Sequence, residues 1–410
     1  MKRILLFLLL FLINCDHIIS DNPSTAQFSI KSIPKKLINA NNEFSLELFR
    51  KLNPHERDGN IFISPVSASF ALGMTMNGAD GKTFDEMKTI LGYKDFDLET
   101  INKTYAALIE ELVQSAQGVE FNLANSVWFR NDLSLQDEFI HLNQQYFNAQ
   151  IAALDFSQPT ACKNIVNQWV EEQTKNKIKN FTQEDDYNSI MLLINAIYFD
   201  ALWKYQFNEQ ETKEEAFYHN HAGFVTCEMM RQKSQLNYSI TPDYQAIELP
   251  YANENYAMVI IEPTGENVDD FIQALSPSTF SKIVNSFKKD SVNLFIPKLE
   301  IEYTKELSDI LKEMGILEAF DPNRADFSKM FNDVTEGIYI KLVRQKSFIK
   351  LNEKGTEAAA ATVVIMDLKG AHNHNDEEIF LTIDKPFVFF IIEKQSDSIL
   401  FCGKIINPNL

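Results

Sequence analysis

The sequence has few of the residues that mark several large protein classes. Its 410 residues contain 4 cysteines, too few for the disulfide scaffold of a chain this long. Lys and Arg number 38 against 57 Asp and Glu, which gives a formal net charge of −19. No local cluster of basic residues offsets this charge, so we expect no binding to nucleic acid or to anionic membranes.

Catalytic and metal-binding patterns are also missing. The chain has no Gly-x-Ser-x-Gly, no His-Glu-x-x-His, no phosphate loop and no dinucleotide fingerprint. Ser64 and Asn195 therefore do not indicate an enzyme. His372, His374 and Asp376 stand in one polar stretch, and His219 lies two residues before His221. Neighbouring loop residues rarely converge on one ion, so we predict solvated loops, no metal and no cofactor.

Long apolar runs are absent apart from a short one at the start. Lys2 and Arg3 precede apolar residues 4–13, which is the order of a secretory signal and too short to span a bilayer. We therefore predict a signal peptide at residues 1–20 and an extracellular, secreted protein. The cleavage site is left open between Asn14 and Asn22.

No linker rich in Pro, Gly or Ser divides the rest of the chain. We predict an N-terminal extension at residues 21–40 and a single domain at residues 41–410. If Cys15 leaves with the signal, three cysteines remain and at least one thiol is free. Three Asn-x-Ser/Thr sequons, at Asn102, Asn180 and Asn237, are typical of a secreted glycoprotein, and we expect one or two to carry glycans.

The hydrophobic patterns predict an α+β fold. Apolar residues recur at helical spacing in residues 42–52, 104–115, 162–180 and 303–314, and Ser64-Pro65 starts a further helix. The second half contains mostly strand-like runs, at residues 257–261, 291–296, 338–342, 348–351, 379–383, 387–392 and 399–402. Without βαβ regularity, this mixture indicates large and mainly antiparallel sheets.

The most unusual segment lies at residues 352–370. Residues 356–362 contain only Thr, Glu and Ala, and residues 362–366 are β-branched or flexible apolar residues, which favours a strand. Taken alone, the four alanines 358–361 are more typical of a helix. A polar loop follows Gly370. The segment therefore resembles a strand without an obvious sheet.

Eight short motifs follow one another along the chain: NIFISPVS (60–67), NAIYFDALW (195–203), FIPKL (295–299), LKEMGI (311–316), FSKM (327–330), NEKGTEAAAAT (352–362), IDKPFVFFI (383–391) and FCGK (401–404). In this order they resemble the motifs of the serpin superfamily over about residues 40–410. Each motif is weak alone, but the ordered set is specific.

The resemblance implies an α+β serpin fold with three β-sheets, about nine helices and an exposed reactive-centre loop at about residues 353–380. In the family, a protease cleaves this loop, which then inserts into the central sheet and traps the acyl-enzyme. Strand alternation places Thr356, Ala358, Ala360 and Thr362 on one small-residue face, which suits burial between strands. The implied function is a suicide-substrate inhibitor, with no enzymatic activity of its own.

Family spacing places the scissile bond at the seventeenth residue counted from Glu353, which is Lys369-Gly370. A lysine before the bond fits the acidic specificity pocket of a trypsin-like serine protease, the expected covalent partner of a monomeric inhibitor. If the bond instead follows Leu368 or Met366, the target is a chymotrypsin-like or elastase-like protease.

The resemblance also assigns supporting residues by position. The hinge that enters the sheet comprises Glu353, Gly355, Thr356, Glu357, Ala358, Ala359, Ala360, Ala361 and Thr362. The residues expected to support sheet opening are Ser64, Ser67, Asn195, Trp203, Lys298 and Gln345. Lys298 is expected to pair with Glu353. Gln345 stands where many members have histidine, so we expect hydrogen bonding there without titration.

Two further expectations concern partners. Some serpins bind heparin through a basic helix, but residues 98–118 place Lys103 against Glu99, Glu110 and Glu111, so heparin binding by that route is not expected. A non-inhibitory serpin acting as a carrier, storage protein or chaperone is the alternative function. Such a protein would tolerate hinge residues that prevent insertion, such as proline or a charge on the inward face. Residues 355–362 contain neither, which favours inhibition.

Overall fold

The computed structural model of the chain describes residues 34–113, 119–219, 223–265, 267–332, 337–356 and 378–410. These residues form nine α-helices, α1 to α9: Lys35–Leu52, Pro65–Met76, Gly81–Ile90, Leu98–Val113, Asp137–Phe147, Pro159–Gln173, Val268–Ala274, Pro277–Asn285 and Ser308–Met314. The strands β1 to β15 are Ile61–Ile63, Val119–Arg130, Gln150–Leu154, Met191–Leu202, Lys213–Tyr218, Phe224–Ile240, Tyr244–Pro250, Tyr256–Pro263, Lys288–Pro297, Leu299–Glu306, Arg344–Leu351, Gly355–Thr356, Ile379–Thr382, Phe387–Glu393 and Ser398–Ile405.

Hydrogen bonding joins the strands into two sheets. One has six strands in the order β10-β11-β12-β4-β2-β3, and is called the central sheet below. The other has nine strands in the order β1-β15-β14-β8-β7-β6-β9-β13, with β5 paired to β6. The long strand β6 pairs with β5, β7 and β9 at different places along its length. Two of the three sheets expected from the family therefore share β6 and β9 within one continuous sheet.

Helix α2 lies in the core and positions the central sheet. Ser64 caps its first turn, Pro65 stands at its first position, and all of its residues except Ala71 are buried. The helix packs against both β4 and β15. A helix that is apolar on every side is stable only inside a protein. Helix α6 covers the opposite face of the central sheet, where Trp169 packs edge-on against Trp128 at 5.8 Å.

Two predicted elements were wrong. Residues 303–314 are not one helix, because β10 continues to Glu306 and α9 begins at Ser308. Alternate burial along β10, in register with β11, fits the strand period of two better than the helical period. The predicted strand at residues 338–342 is irregular, and Ile340 donates its N–H to the Ala319 carbonyl instead of joining a ladder.

The other predicted helices and strands overlap observed ones, and the predicted α+β class is confirmed. Cys162, Cys227 and Cys402 are all free and buried. No helix among the described residues is long and apolar enough to cross a membrane.

Candidate functional site

The candidate site is a strand position inside the central sheet, between β4 and β11. The two-residue strand β12 occupies its upper end, with Thr356 paired to Leu351 on one side and to Ala201 on the other. In the part of the chain that the structure describes, β4 and β11 form no ladder with each other. Below β12, the sides of these two strands that face each other therefore have no strand partner among the described residues.

The turn from β11 into β12 is held by Asn352. Its side-chain oxygen accepts the N–H groups of Lys354 at 2.9 Å and Gly355 at 3.2 Å, and its own N–H donates to the Gly355 carbonyl at 3.0 Å. A Cβ added to Gly355 would lie 2.1 Å from the Ala201 carbonyl oxygen. Only glycine allows the chain to approach β4 this closely.

Trp203, at the end of β4, fixes the position of this turn. Its indole N–H donates to the Asn352 carbonyl at 2.9 Å, and its backbone N–H donates to Lys354 at 2.8 Å. The indole stacks on Tyr251 at 4.7 Å, and the Tyr251 hydroxyl lies 2.7 Å from the Thr356 hydroxyl. Thr356 is only 2% exposed. The first inward-facing hinge residue is thus already buried in the sheet.

Glu353 and Lys298 form the expected ion pair at the entrance to the strand position, at 2.9 Å. The Glu353 carboxylate also accepts a hydrogen bond from the Thr212 hydroxyl at 2.7 Å. Burial by itself would raise the pKa of Glu353, but Thr212 and Lys298 together lower it below its ordinary value. The carboxylate therefore stays charged and anchors the start of the hinge.

A buried polar cluster lies beneath the strand position and contacts both of its sides. The Gln345 amide of β11 donates to the Ser64 carbonyl at 2.7 Å and accepts the Ser64 N–H at 2.9 Å. The Ser67 hydroxyl donates to Asn195 of β4, whose amide donates to Asn125 at 2.5 Å. Both flanking strands are therefore fastened to the start of α2, β11 through Ser64 and β4 through Ser67.

A cleft of about 150 Å³ continues the strand position downward. One wall is formed by β4 residues 191–195 and the other by residues 338–345, with Ala71, Leu72 and Thr75 of α2 among the residues lining it. The lining is mostly apolar. Small and apolar side chains of an added strand would find a matching environment there.

The connection between α6 and β4, residues 174–190, lies across the outer face of β11. Arg344 donates to the Asp186 carboxylate at 2.7 and 3.3 Å and to the Phe181 carbonyl at 3.3 Å. One strand period later, Lys346 donates to the Lys179 carbonyl at 2.8 Å. Because this connection leads into β4 and is bound to β11, it bridges the two strands that would separate.

Several predicted residues lie elsewhere. Lys369, Gly370, Leu368, Met366 and the hinge residues 357–362 fall outside the described residues, as do His221, the polar loop after Gly370 and the proposed signal peptide. In residues 98–113, Lys103 is bound to Glu99 at 2.6 Å.

The sequons differ in accessibility. Asn180 is exposed in a left-handed turn with φ of 51°. Asn237 is half-buried in β6, which pairs with β7 and β9 there. Asn102 is fully buried and its amide donates to Asn77 at 2.9 Å. A glycan on Asn102 does not fit this fold, so the prediction of a glycosylated Asn102 is corrected.

Sequence reasoning missed Asn352, Thr212, Tyr251 and the Arg344–Asp186 pair. Asn352 alone carried a local signal, since asparagine two or three residues before a glycine favours a turn. The others lie up to 158 positions from their partners, and no local pattern connects them.

These features define a class of protein: one with a strand position in its central sheet that the following chain has begun to enter. A family model described as "Serpin (serine protease inhibitor)" matches residues 39–408. The chain therefore belongs to the serpin family, as the motif order predicted.

Relatives and solved structures agree with this assignment. An uncharacterised serpin-like protein of Thermococcus kodakarensis is 34% identical, covering 91% of this chain and 86% of the relative. The structure of human thyroxine-binding globulin complexed with thyroxine is similar, with a TM-score of 0.83, 30% identity and coverage of 92% of this chain and 99% of that one. Native tengpin, a thermophilic serpin, has a TM-score of 0.82 at 31% identity, covering 92% and 95%.

Proposed function

We propose that this serpin is a suicide-substrate inhibitor of a trypsin-like serine protease. The observation that carries the proposal is the strand position between β4 and β11, which Gly355 and Thr356 enter and which is followed in the sequence by residues small enough to occupy the rest. A carrier that never inserts its loop has no need of small residues on the inward face.

The proposed reaction begins as ordinary proteolysis. The protease serine attacks the Lys369 carbonyl, and the peptide bond to Gly370 breaks. The Gly370 nitrogen leaves as an amine with the proton that the serine hydroxyl has lost, and an ester joins the inhibitor to the enzyme. Residues 357–369 then enter the sheet next to β4. At about 3.3 Å per residue, this strand carries the attached protease about 43 Å before the ester can hydrolyse.

We further propose that the protein is secreted and monomeric, with the segment at residues 1–20 as its signal. The exposed sequon at Asn180 is the best supported site for a glycan. The charge of −19 supports a partner other than nucleic acid, an anionic membrane or heparin.

The experiment is incubation of the purified protein with trypsin, followed by a denaturing gel. A band at the summed mass of protease and cleaved inhibitor is expected, and the mass of the released C-terminal fragment identifies the bond. A fragment starting at Gly370 supports the trypsin-like assignment. Fragments starting after Leu368 or Met366, seen with chymotrypsin or elastase, would move the target to those classes.

A matched pair of variants tests insertion itself. A charge at Thr356 would not test insertion after cleavage, because Thr356 is already buried in the uncleaved state. Ala360→Arg places a charge on the inward face further along, whereas Ala361→Arg places the same charge on the outward face. We expect Ala360→Arg to be cleaved without forming the complex and Ala361→Arg to keep it.

A carrier function is the second candidate, supported by the similarity to the structure of thyroxine-binding globulin with thyroxine. It predicts loop cleavage without any covalent complex, by every serine protease tested. That outcome would end the inhibitor proposal.

A further inference from the structure

A buried carboxylate that forms no ion pair within the described residues lies behind the strand that follows residues 357–377. Glu262, in β8, is 1% exposed. Its Oε2 accepts the backbone N–H groups of Asp384 at 3.0 Å and Lys385 at 3.1 Å, and its Oε1 accepts the Gln245 amide at 2.8 Å. All three are donors, so the carboxylate binds the connection between β13 and β14 directly.

These contacts hold β13 in place. Gln245 uses the same amide nitrogen to donate to the Thr382 carbonyl at 2.6 Å, and the Ile383 N–H donates to Phe295 of β9 at 2.9 Å. Strand β13 has four residues, and in the described part of the chain it pairs with β9 alone. Such a short edge strand depends on its end contacts to remain in the sheet.

Hydrogen bonds from Lys385 and Gln245 favour the charged form of Glu262, but they do not offset its burial. Asp384 opposes the charge and Lys385 favours it only weakly. From β5, the Tyr218 N–H donates to the Asp384 carbonyl at 2.7 Å, and His219 follows it. The residue paired with Glu262 on β7 is Gln245, and the nearest register pair on β14 joins Ile261 to Val388, so neither strand adds a charge there.

We propose that Glu262 is a proton-sensitive pin that holds β13 in the sheet more firmly in mildly acidic than in alkaline solution. When β13 detaches from the sheet at this point, the Glu262 carboxylate becomes exposed to water. Opening removes three hydrogen bonds that favour the charged carboxylate, but burial disfavours that charge more strongly than they favour it, so hydration on opening is worth most when Glu262 is ionised. The inference does not depend on protease inhibition.

The size of the effect follows from the proton affinity in the two states. Burial raises the pKa of Glu262 from 4.5 to about 7 in the closed state, while an exposed carboxyl keeps its ordinary value. A raised pKa means that the closed state binds the proton more tightly, so its advantage is complete below pH 4.5 and is lost as pH rises through 7. The opening constant should rise about 25-fold between pH 5.5 and pH 8.

Hydrogen exchange of the intact protein measures this opening. Peptides covering residues 379–386 are followed by mass spectrometry from pH 5.5 to pH 8, after correction for the intrinsic pH dependence of amide exchange. We expect protection to fall about 25-fold across this range, while a peptide from β9 keeps its protection. Equal protection at both ends, or protection that rises with pH, would overturn the proposal.

Two variants separate Glu262 from its neighbours. Glu262→Gln keeps an acceptor for the backbone N–H groups without a charge, and should give strong, pH-independent protection. His219→Gln changes the neighbouring histidine side chain and should keep the full wild-type slope. If Glu262→Gln does not fold, the His219→Gln profile still decides, since a flat profile there assigns the effect to His219.

Discussion

Arg344→Met should accelerate insertion of the cleaved loop, because it removes part of the attachment of the α6–β4 connection to β11. Both side chains of the Arg344–Asp186 pair are largely buried, at 17% and 10% exposure, and the pair is bidentate. Breaking a buried pair costs about 3–5 kcal/mol when one charge is left behind. Since both groups retain some contact with water, we expect the substitution to lower the free energy of unfolding by about 2 kcal/mol.

This loss sets the expected rate. The connection must leave β11 before a strand can enter beside β4. The substitution therefore lowers the activation free energy of insertion by up to about 2 kcal/mol, which raises the insertion rate at most about 30-fold. The assay is stopped-flow fluorescence of a label on the reactive loop after mixing with trypsin. Insertion should be several-fold to about 30-fold faster, and the native protein should unfold at lower denaturant concentration.

Lys350→Met is the matched control. Lys350 lies on the same strand and pairs with Glu300 of β10 at 2.6 Å, but both side chains are about half exposed. Lys350→Met should change the free energy of unfolding by less than about 1 kcal/mol. An unchanged insertion rate in Arg344→Met, or equal acceleration by Lys350→Met, would refute the role assigned to the connection.

Three further outcomes are expected. Ala360→Arg should raise the number of inhibitor molecules consumed per protease at least tenfold while Ala361→Arg changes it little; equal values on titration against trypsin would contradict insertion with alternating faces. Gly355→Ala forces a contact with the Ala201 carbonyl, so thermal unfolding should occur several degrees lower, and an unchanged midpoint would show that β12 can shift freely. Glu353 has a lowered pKa, so its stabilisation is complete above pH 4.5 and is lost as pH falls through the lower, folded-state value; denaturant titrations of Glu353→Gln and wild type should therefore converge in acid, and a constant difference would argue against the ion pair.

Local patterns predicted much of this protein. Ser64-Pro65 marked the start of α2, and the small residues after Gly355 marked a chain suited to burial in a sheet. The pairing of Glu353 with Lys298 and the hydrogen bonding of Gln345 were predicted by family position and are present. The errors fell where a local pattern fits two structures, as in residues 303–314, where the partner strand β11 decides.

The contacts that control movement of the sheet were not predictable in this way. Asp186 precedes β4 and Arg344 begins β11, and nothing in either neighbourhood indicates the other. The same holds for Glu262, which stands in a strand of otherwise apolar residues and meets Asp384 only in the folded chain.

The sequence by itself determined the fold class and the residues suited to insertion, because periodicity, turn chemistry and side-chain size act between near neighbours, and the order of its motifs indicated the family by resemblance. Only the tertiary structure decided where the strand position lies, that Gly355 and Thr356 stand at its upper end and what holds its two sides. Those properties depend on hydrogen bonds and ion pairs between distant segments, and on burial, which a side chain acquires only when the whole chain has folded around it.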